Sequence, residues 1–166
     1  MEEVSRLYVD ANIIIHLVEH RDELSKALTD LFTAQDNGRP FLVTSELTLT
    51  ELLIGPCRDG DDRLIHRYEA STWSNDQLEV APVIRAVLWD AAVLRAQYAT
   101  LKTPDAIHVS TAIGMRCSHF LTADKRLANR YELTHHRYAL ARGSATLDVI
   151  RPDLAVVHQL TEIASR

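Results

Sequence analysis

Three times in this chain a short, mostly apolar run stops on a polar residue and passes almost at once into a helical pattern. Residues 6–9 (RLYV) give way to Asp10 and then to Ile13, Ile14 and Leu17. Residues 41–44 (FLVT) lead into Ser45, and 119–122 (HFLT) lead into Asp124. Continuous apolar runs of this length read as strands buried on both faces, and a strand that enters a helix directly begins a parallel βαβ crossover. The pattern predicts an α/β fold with a central parallel β-sheet flanked by helices on both faces. A length of 166 residues suits one domain with one substantial core.

The intervening segments fill in the rest. Leu24, Ala27, Leu28 and Leu31 predict a second helix closing at Asn37-Gly38, where glycine suits the left-handed turn. Ser45 caps a helix through Glu51 to Ile54, ended by Gly55-Pro56. Residues 58–62 (RDGDD) read as a surface loop, because the glycine and the distant glutamate do not match a calcium loop. A strand is expected over 78–83, then a helix over 84–98 with Ile84, Val87, Leu88, Ala91 and Leu94 inward. Thr103-Pro104-Asp105 opens a buried helix over 106–115, and Asp124 opens another over 124–131. A last strand covers 147–150. An amphipathic helix then runs over about 153–164, with Leu154, Val157, Leu160 and Ile163 on one side.

Ligands of an open parallel sheet bind beyond the carboxyl ends of its strands. Asp10, Glu51 and Asp124 fall there, and Asp105 opens the buried helix that must pack on the same sheet. Each acid alone reads as a helix cap or a solvated residue. Four at one edge read as a metal cluster. Crowded carboxylates repel one another, a hard divalent cation relieves that repulsion, and magnesium takes oxygen ligands while keeping waters. Helix N-termini add roughly 0.3–1 kcal/mol each in favour of the anionic Asp105 and Asp124.

Other chemistries find less support. No GxGxxG, GxxxxGK[ST] or GxSxG occurs. Cys57 and Cys117 form no CxxC pair and read as small hydrophobes. His16 and His20 have the i, i+4 spacing of a zinc pair but lack a third ligand in the sequence, and so read as helix surface. His108, three residues after Asp105, reads as a satisfied core histidine. An aspartyl phosphatase would want a second aspartate at position 12, where Asn12 stands. The net charge of −5 excludes nucleic-acid binding by bulk charge alone, although residues 125–143 carry five basic side chains against Glu132. That stretch reads as a phosphate-contacting patch or a solvated face. No basic-plus-apolar leader opens the chain and no run is long enough to span a membrane, so a cytoplasmic location is expected.

Four segments in order give the chain a resemblance: YVDANIIIHL (8–17), TSELTLTELLIGP (44–56), LKTPDAIHVSTA (101–112) and FLTADKRL (120–127). Together they resemble the PIN-domain nucleases, in particular the VapC-type toxins of toxin–antitoxin pairs. The resemblance implies a single PIN-like domain over 1–166 and assigns Asp10, Glu51, Asp105 and Asp124 as an acidic quartet for magnesium or manganese. Thr122 matches the hydroxyl residue two before the fourth acid. Asn12 stands where many relatives carry a small hydroxyl residue. Lys125 and Arg126 are expected on the substrate side, and 129–145 form a basic extension longer than the family usually has. The implied activity is hydrolysis of RNA phosphodiester bonds by a divalent-metal-dependent endoribonuclease. The implied partners are RNA, a cognate antitoxin protein and further copies of the chain in a homodimer or higher homo-oligomer. A non-catalytic PIN-like module and an RNA-processing nuclease that is not a toxin are the alternatives.

Overall fold

The computed structural model describes residues 4–34, 41–137 and 140–165, with 135–137 and 140–144 described through backbone pairing alone. In chain order the elements are β1 (Leu7–Val9), α1 (Ala11–Glu19), α2 (Glu23–Thr33), β2 (Leu42–Ser45), α3 (Glu46–Asp59), α4 (Asp62–Ser71) and β3 (Leu78–Ala81). They continue with α5 (Arg85–Gln97), α6 (Thr103–Gly114), β4 (His119–Leu121), β5 (Arg130–Arg137), β6 (Leu140–Ile150) and α7 (Leu154–Ala164). The six strands form one sheet in the order β3-β2-β1-β4-β6-β5. Every neighbouring pair is parallel except β5 with β6.

Strand periodicity explains the two-sided core. On β1, Leu7 and Val9 point to one face and Tyr8 to the other, and β2 and β4 follow the same alternation with Leu42 against Val43 and Leu121 against Phe120. The first face is covered by α1, α2 and α7 through Ile13, Ile14, Leu28, Leu31, Val157 and Leu160. The second is covered by α5 and α6 through Ala91, Leu94, Ala106, Val109 and Ala112. Burial on both faces is why these strands read as unbroken apolar runs.

Several boundaries differ from expectation. Helix α2 stops at Thr33, before Asn37-Gly38, and that pair lies outside the described residues. Helix α3 runs through Gly55-Pro56 and stops at Gly60, whose φ of 67° is the left-handed cap. A proline crowds the Cβ of the residue before it, and Gly55 has none, so the helix can continue. The polar 58–62 stretch is the junction of α3 with α4, a helix the apolar pattern missed because Tyr68 is its one fully buried residue. On α5, Val87, Ala91 and Leu94 face inward while Ile84 and Leu88 are half exposed. No helix forms after Asp124. Its carboxylate accepts from the backbone N–H of Arg126 at 2.9 Å, a local turn that competes with a helix start, and the chain enters β5. The expected strand over 147–150 is the end of the longer β6, so residues 130–137 and 140–145 of the basic extension lie on paired antiparallel strands. Among the described residues no helix is long and apolar enough to cross a membrane.

Candidate active site

Strands β1 and β4 are parallel neighbours paired at Val9 and Leu121, so the residues that follow them are side by side. Those residues are Asp10 and Thr122. The Thr122 hydroxyl donates to Asp10 Oδ2 at 2.6 Å and accepts from Asn12 Nδ2 at 2.9 Å and from the Asp124 backbone N–H at 3.0 Å. One donor and two lone pairs are thereby all used. Asn12 also donates to Asp10 Oδ2 at 2.5 Å, and its Oδ1 accepts from the Ala123 backbone N–H at 2.9 Å, which fixes the amide orientation. The Ala11 backbone N–H donates to Asp10 Oδ1 at 2.8 Å, making Asp10 the N-cap of α1 as well. The cap reading and the site reading are both true of this buried carboxylate.

Glu51 arrives from the next strand over. Thr44 at the end of β2 bonds the Val9 carbonyl and the Thr48 hydroxyl, seating α3 beside β1, and Glu51 projects from its second turn. From α6, His108 is almost fully buried between two partners: its Nδ1 lies 2.7 Å from the Tyr8 hydroxyl and its Nε2 lies 3.1 Å from Glu51 Oε2. An ionised carboxylate only accepts, so Nε2 is the donor to Glu51; the tautomer with its proton there leaves Nδ1 to accept from the Tyr8 hydroxyl. Burial raises the Tyr8 phenol far above its ordinary value, consistent with a hydroxyl that stays a donor. His108 is the satisfied core histidine expected from sequence, yet what satisfies it includes a member of the acidic set. The only sequence signal for that contact is its position one helical turn after Asp105.

Ligand atoms of Asp10, Glu51 and His108 lie within 4.8 Å of one another. Asp105, in the first turn of α6, stands outside that group but feels it. Burial, followed by the charges of Asp10 and Asp124, pushes its carboxyl above the usual range. Asp124 behaves in the opposite way. The Arg126 guanidinium grips both its oxygens, Nε at 2.9 and 3.0 Å and Nη2 at 2.5 Å, and holds its carboxyl down to about 2. Asp124 therefore sits in a turn rather than on a helix N-terminus, and the helix-dipole argument applies to Asp105 alone. Lys125 is exposed beside it. A notch of about 150 Å³ adjoins the acids, lined by Asp105, Arg126, Lys102, Tyr98 and Tyr131 among others. The aromatic pair meets edge to face at 5.0 Å.

Comparison with known proteins bears on the fold and the family. No curated protein matches the chain by sequence. Among solved structures, VapBC2 from Rickettsia felis bound to a promoter DNA fragment is similar over 89% of this chain and 98% of its own, at 17% identity and a TM-score of 0.58. VapC20 from Mycobacterium tuberculosis, described as a sarcin–ricin loop cleaving toxin, matches over 69% of this chain and 86% of its own, at 16% identity and a TM-score of 0.55. A toxin–antitoxin complex from Klebsiella pneumoniae matches over 72% of this chain and 87% of its own, at 22% identity and a TM-score of 0.53. At such identities the likeness is one of fold. The family model described as PIN domain matches residues 7–133, a span that begins at β1, takes in Asp10, Glu51, Asp105 and Asp124, and reaches into β5. With a family match that runs across most of the chain and a mostly parallel sheet flanked by helices, this chain belongs to the PIN domain family.

Proposed function

We propose that the chain is a divalent-metal-dependent endoribonuclease and the toxin of a toxin–antitoxin pair, its 166 residues forming one PIN-like domain. The observation that carries this reading is the gathering of Asp10, Glu51 and His108 ligand atoms within 4.8 Å, beside which Asp105 is pushed toward its neutral form by burial and then by the charges of Asp10 and Asp124. The donors are mainly carboxylate oxygens, the set that suits Mg²⁺ or Mn²⁺, and a cation there would remove the repulsion. When bound, such an ion supplies positive charge to a phosphodiester and makes water more acidic.

The chain's own residues divide the remaining work. Asp10 is held rigid by three donors, from Ala11, Asn12 and Thr122, and would be the fixed ligand. Glu51 is oriented by the Tyr8–His108 relay and would ligate or position the attacking water. Asp105 would complete the oxygen set. Asp124 would join it by sharing its carboxylate between the cation and Arg126, while Lys125, Arg126 and Lys102 would meet phosphates of the RNA. Toxin–antitoxin complexes among the structural neighbours, and a toxin described as cleaving the sarcin–ricin loop, support the reading without fixing the target.

A surface on α3, the helix that carries Glu51, suits an inhibitor. A groove of about 390 Å³ between α3 and α4 has an apolar lining of Leu49, Ala70 and Trp73 with Glu46 and Glu69 beside it. An antitoxin segment with apolar side chains and an arginine would fit there, reaching the acids through charge-assisted bonds. Self-association, also proposed, cannot use the centre of the α7 stripe, since Val157 and Leu160 are wholly buried in their own domain.

RNA cleavage by the purified protein tests the core of this reading. Activity should vanish in EDTA, return with magnesium or manganese, return poorly with calcium, and be lost in Asp10→Asn. Undiminished turnover in EDTA would overturn the metal mechanism. Full activity of Asp10→Asn would remove the site.

A further inference from the structure

The corner between α1 and α2 gathers a different set of ligand side chains. His16 lies in the last turn of α1 and His20 is its C-cap, so both imidazoles leave on one face. Their rings stack with centroids 4.3 Å apart and an interplanar angle of 3°. The chain then turns, and Asp22 becomes the N-cap of α2. His16 Nε2 comes to 3.0 Å from Asp22 Oδ1, and ligand atoms of all three residues fall within 4.8 Å of one another. The third ligand absent from the local sequence pattern is supplied by the fold.

The corner is built before any ion arrives. Asp22 accepts from the Ser25 backbone N–H at 2.8 Å, and Ser25 Oγ accepts from the Asp22 backbone N–H at 3.0 Å, a reciprocal capping box that fixes the carboxylate. The intervening Arg21, whose charge would oppose a cation, turns its guanidinium onto the carbonyls of His20 and Val18 at 2.7 and 3.3 Å. From α4, Arg67 also bonds the Val18 carbonyl, and Tyr68 donates to the Glu19 carboxylate. The ligands themselves are half-buried or exposed, so water can complete a coordination shell.

We propose that His16, His20 and Asp22 form a binding site for a divalent ion of the zinc class, clasping the α1–α2 corner apart from the acidic centre. Two imidazoles and one carboxylate favour Zn²⁺, Ni²⁺ or Cu²⁺ over magnesium or calcium, which prefer all-oxygen sets. Ligands about 2.0–2.2 Å from a tetrahedral zinc stand roughly 3.4 Å apart, so the present spread closes when the imidazoles rotate out of their stack and the ligand atoms move by about an ångström. The site is at the far end of α1 from Asp10, with His16 and His20 displaced along the helix axis by roughly 9 and 15 Å.

Zinc titration of the zinc-free protein in excess magnesium, followed through the histidine Cε1–Hε1 NMR signals, is the test. The His16 and His20 signals should move together and saturate at one equivalent, and the thermal midpoint should rise. His16→Gln should weaken zinc binding by at least about tenfold. Asp22→Asn retains a capable N-cap, so the zinc-free midpoint should hold while affinity falls. RNA cleavage in magnesium alone should be unchanged in both variants. Zinc moving only the His108 signal, or binding both variants as tightly as the parent, would overturn the site.

Discussion

The Thr122 hydroxyl is the hub through which Asp10, Asn12 and the Asp124 backbone hold one another. Thr122→Val keeps the shape and leaves buried polar groups without their partner, at a cost of about 1–3 kcal/mol. Urea denaturation should show that loss, Thr122→Ser should recover most of it, and cleavage should fall in the valine variant as Asp10 loses its register. Asp105 carries a prediction of opposite sign. Its folded-state carboxyl is raised above the unfolded one, so the native state gains most when Asp105 is neutral, and that gain is lost as pH rises through the raised value. Asp105→Asn removes the titration. In EDTA the variant's melting temperature should therefore exceed the parent's at neutral pH, and the gap should close below the ordinary carboxylate range. A gap that widened on acidification would contradict the repulsion that motivates the metal.

Helix α7 shows how an amphipathic stripe is read differently once its neighbours are known. Val157 and Leu160 are fully buried against the α1–α2 side of the sheet, while Leu154, at the start of the helix, is partly exposed. Leu160→Ala should cost about 2–5 kcal/mol of stability by leaving a cavity, and the mass in solution should not change. A drop in mass at unchanged stability would place the stripe in an interface instead. The elements that sequence revealed well, β1, β2 and β4, are those buried on both faces, where composition itself records the environment. Helix α4 escaped because a surface helix with a mainly polar sequence carries little periodic signal. The turn after Asp124 was misread because aspartate begins helices and closes Asx turns alike, and the choice was made by Arg126 and by pairing with β6. The site divides in the same way. Asp10 and Thr122 could be placed together from two strand ends, whereas the His108–Glu51 contact joins α6 to α3 across 57 residues and needs the fold.

At the scale of the whole molecule, a chain of net charge −5 that is to act on RNA must gather basic groups locally, and Lys102 and Arg126 do so beside Asp105. The arrangement has a second consequence. Carboxylates that would hold a cation would also attract a guanidinium, so a protein segment carrying arginine would compete with the metal for one edge of the sheet. Apolar surface beside α3 and α4, where Ile54 is 62% and Trp73 72% exposed, would give such a segment its anchorage. Expressed alone, the chain should therefore arrest growth and degrade RNA, and Asp10→Asn should be harmless. Expressed with the neighbouring open reading frame, it should be silent and should co-purify with that product. Trp73→Ala should weaken capture while leaving cleavage of RNA by the free enzyme intact, because the side chain lies in the groove and not among the acids. If expression alone leaves growth and RNA untouched and no partner co-purifies, the toxin reading fails, and a nuclease of the same fold engaged in RNA processing takes its place. Cleavage that survives with magnesium in that case would show that the acidic centre was read correctly and its biological setting was not.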